Sequence, residues 1–452
     1  MNAAASADSA RTAPRKELSL FDSTCIIVGI IIGAGIYDTA PNVARCMSSS
    51  AATLGVWLAG GLVALTGALC YAELGTAYPR AGGDYVYLTR AYGSWAGYLF
   101  GWSQLVIIRP GDVALLAFVF GRYAETLYAP FDNCRAFYAA AAIVVLTATN
   151  ILGVKQAKWT QNVLTAFKVL GLLAIIVAGM AAPGRPPTPA GTAPAPMGGL
   201  GLALILALWT FGGWNEIAYV AAEVKRPQQN IVRALVIGTT AVTAIYVLAN
   251  AAFLHALGYE KMAASEAVAV DALATVMPRM AGRAISVLIC ISALGVVNGL
   301  IFTGARISYA MGAEHATLRA LGRWHPRFRT PVRALVVQGT VSLAIALVGG
   351  SFLDIISYNA PAVWLFFLAT ALSLFVLRRK EPGTPRPYKV AAYPVTPIIF
   401  CASSAFMLCN SVSYALGKKP FGPIGLMVLG GVLVAGALLH RLTEVRTDTS
   451  RL

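Results

Sequence analysis

Apolar residues run in long blocks from Leu20 to His440, separated by short polar stretches. Each block holds about 17–25 residues or more, the length a helix needs to cross a hydrocarbon core roughly 30 Å thick. Twelve such blocks predict twelve spans, at 20–47, 51–78, 92–128, 136–153, 159–181, 199–222, 231–257, 284–312, 333–349, 352–377, 393–416 and 422–440. The first nineteen residues are polar and basic, and the first apolar block is long and lacks a small-residue cleavage site, which predicts no signal peptide.

Two blocks are interrupted by glycine at matching places, Gly33-Ala34-Gly35 in span 1 and Gly212-Gly213 in span 6, five spans apart. An odd number of spans per repeat inverts the second half relative to the first, so the two broken helices are expected to run antiparallel and meet near the midplane. The predicted fold is an all-α membrane protein of twelve transmembrane helices in a five-plus-five inverted repeat with helices 1 and 6 broken. The expected divisions are a cytoplasmic tail at 1–19, a first repeat at 20–181, a Pro-rich extracytoplasmic spacer at 182–198 and a second repeat at 199–377. Spans 11 and 12 with the loop before them follow at 378–440, then a tail at 441–452. The segment 258–282 mixes charged and apolar residues and is expected to lie on the outer surface as short helices.

An unwound helix in a membrane frees N–H and C=O groups that lipid cannot satisfy and a polar solute can. Half-helix N-termini attract a carboxylate, and freed carbonyls accept an ammonium. An amino acid zwitterion fits both. Glycine in a membrane helix also serves close helix packing; it is the paired placement, with Pro41 beside the first break, that favours a binding site.

Composition agrees: 58% of the residues are hydrophobic and 12% charged, against about 45–50% and 25% in soluble proteins. The net charge of +16 would suit a nucleic-acid binder, but its placement gives another cause. With the N-terminus inside, cytoplasmic segments and the span ends next to them carry 23 of the 35 Lys and Arg and extracytoplasmic ones 9, while Arg109, Lys168 and Arg306 lie deeper within spans. That bias puts both ends in the cytoplasm of a multi-pass protein of the cell's inner (plasma) membrane and removes the case for nucleic acid. The seven cysteines are scattered without metal-ligand spacing, and His255, His315, His325 and His440 sit near span ends without pairing, so no metal or cofactor is expected.

Tyr71 to Gly93 (YAELGTAYPRAGGDYVYLTRAYG) resembles the amino acid, polyamine and organocation transporter superfamily, most of all its L-type amino acid branch. Further matches are GIIIGAGIY in span 1, WTFGGWNEIAYVAAEVKRPQQNI from Trp209, GARISYAMGAEHATLRALGRWHPRFRTPVRAL from Gly304 and LRRKEPGTPRPYKVAAYPVTPIIF from Leu377. They follow the family's order over almost the whole chain. The resemblance implies alternating access and an amino acid held by broken helices 1 and 6. Its carboxylate would lie on the Gly33, Ala34 and Gly35 amides, and its amine on carbonyls near Ile30 and over Trp209, Thr210 and Phe211, beside Gly212. Trp209 falls where relatives carry an aromatic gate, although a packed aromatic would look the same, and Asn215 falls on a site-lining position. Mammalian L-type members bond a heavy subunit through a cysteine; Cys134 lies in a poorly matching loop, so no such partner is expected.

Two roles are open to Lys168, seven residues into span 5 with no acid within a turn. It can snorkel to the cytoplasmic interface, or its ammonium can reach the unwound part of span 1 and stand where sodium-coupled relatives bind sodium. The resemblance favours the second role, since sodium-independent members carry a lysine here. Arg109 has two roles as well: an ion pair with Asp112 at i+3 beside a Pro kink, or a contact to an acidic substrate side chain, as relatives with a similar IIRP run suggest. Glu216 either pairs within the bundle or faces the permeation path. Arg306 and Glu223 are expected at the cytoplasmic gate or at helix ends.

The expected function is sodium-independent amino acid transport, by exchange or linked to protons. A proton-coupled amine or polyamine carrier of the same fold is the alternative, although a polycation site would want more acidic residues than Glu216. A membrane enzyme would need paired acids, a Ser/His arrangement or a zinc motif within spans, and a sensor would need a large output domain; the sequence has neither.

Overall fold

The computed structural model describes residues 14–132, 134–184, 199–348, 352–417 and 422–442. The 185–198 part of the spacer and both chain ends lie outside them. The described residues are overwhelmingly helical, and every predicted span has its helix. Ten helices are long and apolar enough to cross a membrane, and the bent pair Leu20–Ile31 and Gly35–Cys46 makes an eleventh crossing. The remaining predicted span is the shorter apolar helix Val332–Val348.

Span 1 bends by 51° between its two helices. Span 6 runs as an α-helix over Gly199–Thr210, turns, and continues as a 3-10 helix over Trp214–Glu223. The first half of span 6 packs on the second half of span 1, and its 3-10 half packs on the first. The two broken helices therefore run antiparallel, as expected for inverted halves.

Span 3 contains a feature that the apolar pattern did not announce. Gln104–Ile108 forms a π-helix, and the Arg109 N–H reaches back to the Gln104 carbonyl, five residues away. Pro110 follows at once and has no N–H to give, so the extra residue is absorbed where the α-helical ladder is already broken. The bulge re-aims the side chains that follow.

Segment 258–282 holds two short helices, Tyr259–Ala264 and Val268–Ala274, as expected. Buried Met262 and Val268 anchor them to the bundle. The opposite end is knitted together by polar contacts. Leu18 pairs with Val224 as an isolated bridge, and the fully buried Arg306 grips both Glu223 oxygens, at 2.8 and 3.1 Å. Nearby, buried Glu73 at the end of span 2 binds Arg378 of span 10 and accepts from the Val390 amide. The histidines depart from expectation: His315 and His440 lie 5.8 Å apart around Tyr98, because two helix ends distant in sequence converge there.

Candidate functional site

The break in span 1 follows from its residues. The first helix closes with the Ile32 N–H on Val28 O, and Gly33 N–H turns back to Ile31 O. The second helix starts at Gly35 behind Ala34, whose side chain cannot cap it. Its first amides keep no intrahelical partner.

In span 6, the Gly212 N–H caps Trp209 O, and Gly213 takes a φ of +109°. A Cβ on Gly213 would stand 2.6 Å from Ile30 Cγ2, so only glycine allows both the left-handed backbone and the approach of the two breaks. The carbonyls ending Gly199–Thr210 thus face the amides starting Gly35–Cys46 across the same gap. Thr39 and Thr210 hydroxyls, 2.8 Å apart, bind the two half-helices together.

A cavity of about 240 Å³ lies between them. Ile30, Gly33, Ala34, Gly35, Arg109, Trp209, Thr210, Gly212, Asn215 and Glu216 all line it. Trp209 is 38% exposed, far more than its buried neighbours Leu208 and Thr210. Phe211 is the exception among the expected contacts. It is fully buried behind the break, against Trp57 and Tyr246, because the turn at Gly212 carries its side chain away from the cavity.

Lys168 does not line the cavity. Its ammonium is fully buried and donates to Gly29 O at 2.6 Å, Ile32 O at 2.9 Å and Ser292 O at 3.0 Å. It does not snorkel. Three donors meet three carbonyls, two from the unwinding end of span 1 and one from span 8, and the charge is solvated by backbone dipoles.

Arg109 does not pair with Asp112. Its Nη2 donates to Glu216 Oε1 at 2.8 Å, its Nε donates to Gln104 Oε1 at 2.9 Å, and its guanidinium lies over the Tyr219 ring. Glu216, for which two roles were open, both pairs and lines the cavity; its other oxygen accepts from Thr303. Asp112 turns to Asn359 of span 10 at 2.8 Å. From Asn215 a chain of bonds leads out of the cavity, through its amide to the Tyr219 hydroxyl and from that hydroxyl to Asp84. Burial pushes the Asp84 carboxyl up to about 6.

Gln104, Asp112, Tyr219 and Asn359 also line the cavity and were not singled out as lining residues. Tyr219 stands one turn after Asn215, and Asn359 is a polar residue two before Pro361 in an apolar block; these were the available signals. Among the described residues no group of His, Cys, Asp and Glu could hold a metal ion. Cys134 is buried, with its thiol on Glu125.

The amino acid permease family model matches residues 18–434. The chain is 33% identical to the human (Homo sapiens) b(0,+)-type amino acid transporter 1, over 88% of this chain and 82% of that protein. It is equally identical to the mouse (Mus musculus) large neutral amino acids transporter small subunit 2, over 91% and 79%. The mouse Asc-type amino acid transporter 1 is also 33% identical, over 89% of this chain and 78% of that protein.

Proposed function

Since this chain belongs to the amino acid permease family of membrane transporters, we propose that it carries amino acids across the cell's inner membrane by alternating access, without sodium. It is a transporter and not an enzyme. The observation that carries the reading is the gap between the two broken helices, where free amides and free carbonyls face one cavity. The amides of Ala34 and Gly35 take the substrate carboxylate, with Gly33 beside them giving its own N–H to Ile31 O, and the carbonyls near Ile30 and at the end of Gly199–Thr210 take its ammonium. Trp209 closes over the bound molecule.

Lys168 supports independence from sodium. A cation held by three carbonyls at the unwound end of span 1 does structurally what a coordinated metal ion would do there, but it is covalently fixed. It gathers the carbonyls of spans 1 and 8 at no cost in bound ion. Exchange, in which loaded states reorient readily, suits a carrier whose cation never leaves.

The basic-residue bias supports a cytoplasmic position for the Leu18 end and both chain ends. Arg306–Glu223 and the Leu18–Val224 bridge then form the cytoplasmic gate. The Cys134 thiol is buried on Glu125, which supports the expectation of no disulfide-linked heavy subunit.

The test is uptake of radiolabelled amino acids by purified protein in liposomes, with and without sodium, a pH gradient and internal amino acid. Uptake that is unchanged without sodium and stimulated by internal amino acid is expected. A strict sodium requirement would overturn the role given to Lys168.

A further inference from the structure

Resting on the amino acid reading above, we infer that the end of the cavity between spans 3 and 10 selects basic side chains, with Asp112 and Asn359 as the specificity-determining pair. Among the described residues, three charged side chains line the cavity, Arg109, Asp112 and Glu216. Two of them cancel. Arg109 and Glu216 form a buried pair, each about 5% exposed at its side chain, with Gln104, Thr303 and the Tyr219 ring as further partners. The guanidinium charge is therefore already committed to a carboxylate.

Asp112 is left as the unbalanced charge. One of its oxygens accepts from Asn359; among the described residues, nothing donates to the other. Asn359 is 1% exposed and its orientation is set by two acceptors, Ile108 O at 3.2 Å and Asp112 Oδ1 at 2.8 Å. Both of its N–H donors are thus engaged, and its Oδ1 is buried without a partner. A charged acceptor lines the cavity, and a second, buried acceptor without a donor stands beside it on Asn359.

In such a low-dielectric site an acceptor without a donor and a carboxylate without a counter-ion are both costly. A substrate ammonium or guanidinium supplies donors and charge at once. A neutral aliphatic side chain supplies neither, and an acidic one meets Asp112 as a like charge. The π-helix at Gln104–Ile108 builds this arrangement, because it turns Arg109 toward span 6 and leaves Asp112 to span 10.

The test uses liposomes holding the full-length protein, with uptake of whichever labelled amino acid is best transported and competition by arginine, lysine, leucine and glutamate. Arginine or lysine is expected to inhibit at concentrations roughly tenfold or more below leucine, a gap of about 1.4 kcal/mol, with glutamate weakest. Asp112→Asn is expected to shrink the arginine-to-leucine ratio by a similar factor. Leucine or glutamate competing as well as arginine in the natural protein would overturn the inference while leaving amino acid transport standing. So would an unchanged ratio in Asp112→Asn. If that variant does not insert, thermal stabilisation of the detergent-purified natural protein decides: arginine must stabilise at lower concentration than leucine, and the reverse order would refute the selection. Absence of uptake for every amino acid would remove the transport reading and this inference with it.

Discussion

Lys168 commits its whole hydrogen-bonding capacity to backbone, and its removal strands the Gly29 and Ile32 carbonyls in a water-poor core, while Ser292 O keeps its place in the helical ladder. Each stranded group costs about 1–3 kcal/mol, most of it falling on the part of span 1 that must stay unwound but ordered. Lys168→Ala is expected to reach the membrane and to lose amino acid uptake; near-normal uptake would remove its assigned role. Asp84 makes a different prediction. Its ionised form is the costly one in the folded protein, so stability is fully present below the unfolded pKa of about 4 and declines as pH rises through about 6. The melting temperature of the natural protein should therefore fall relative to Asp84→Asn over that window; parallel curves would show that Asp84 is not the group responsible. Only part of this chemistry was legible in the sequence. A cation in span 5 and one in span 3 were plain, whereas the partners of Arg109 were not, because Glu216 lies 107 residues away and is reached only after the π-helix has turned span 3.

At the scale of helices, the glycines announced the breaks, since an apolar block of ordinary length with a Gly-Gly or Gly-X-Gly step has few reasons to stay helical there. What the spacing could not convey is how closely the two breaks approach. Gly213 combines a left-handed φ with a Cβ position 2.6 Å from Ile30. Gly213→Ala then incurs strain of about 1–3 kcal/mol and pushes spans 1 and 6 apart. It is expected to lower amino acid uptake well below that of Gly212→Ala, where a Cβ would meet only Trp209 O at 3.2 Å. Equal uptake by the two variants would contradict the close contact. The same turn explains why Phe211 lies behind the site although its neighbours Thr210 and Gly212 line it.

For the molecule as a whole, the apolar blocks were sufficient to give all twelve helices, because bilayer thickness fixes their length and leaves the pattern little freedom. The antiparallel crossing of spans 1 and 6 followed from counting spans and is borne out by which halves pack together. The junctions between distant helix ends, such as His315 with His440 or Glu73 with Arg378, have no local signature and depend on the assembled bundle. The account as a whole depends on both charged ends of an amino acid being held by backbone at the two breaks. Competition for uptake in liposomes by the best-transported amino acid, its carboxyl amide and its N-acetyl derivative addresses this directly. The free amino acid should compete at least about tenfold better than either derivative, since each derivative removes one charge that a helix end holds. A derivative competing as well as the free amino acid would contradict it.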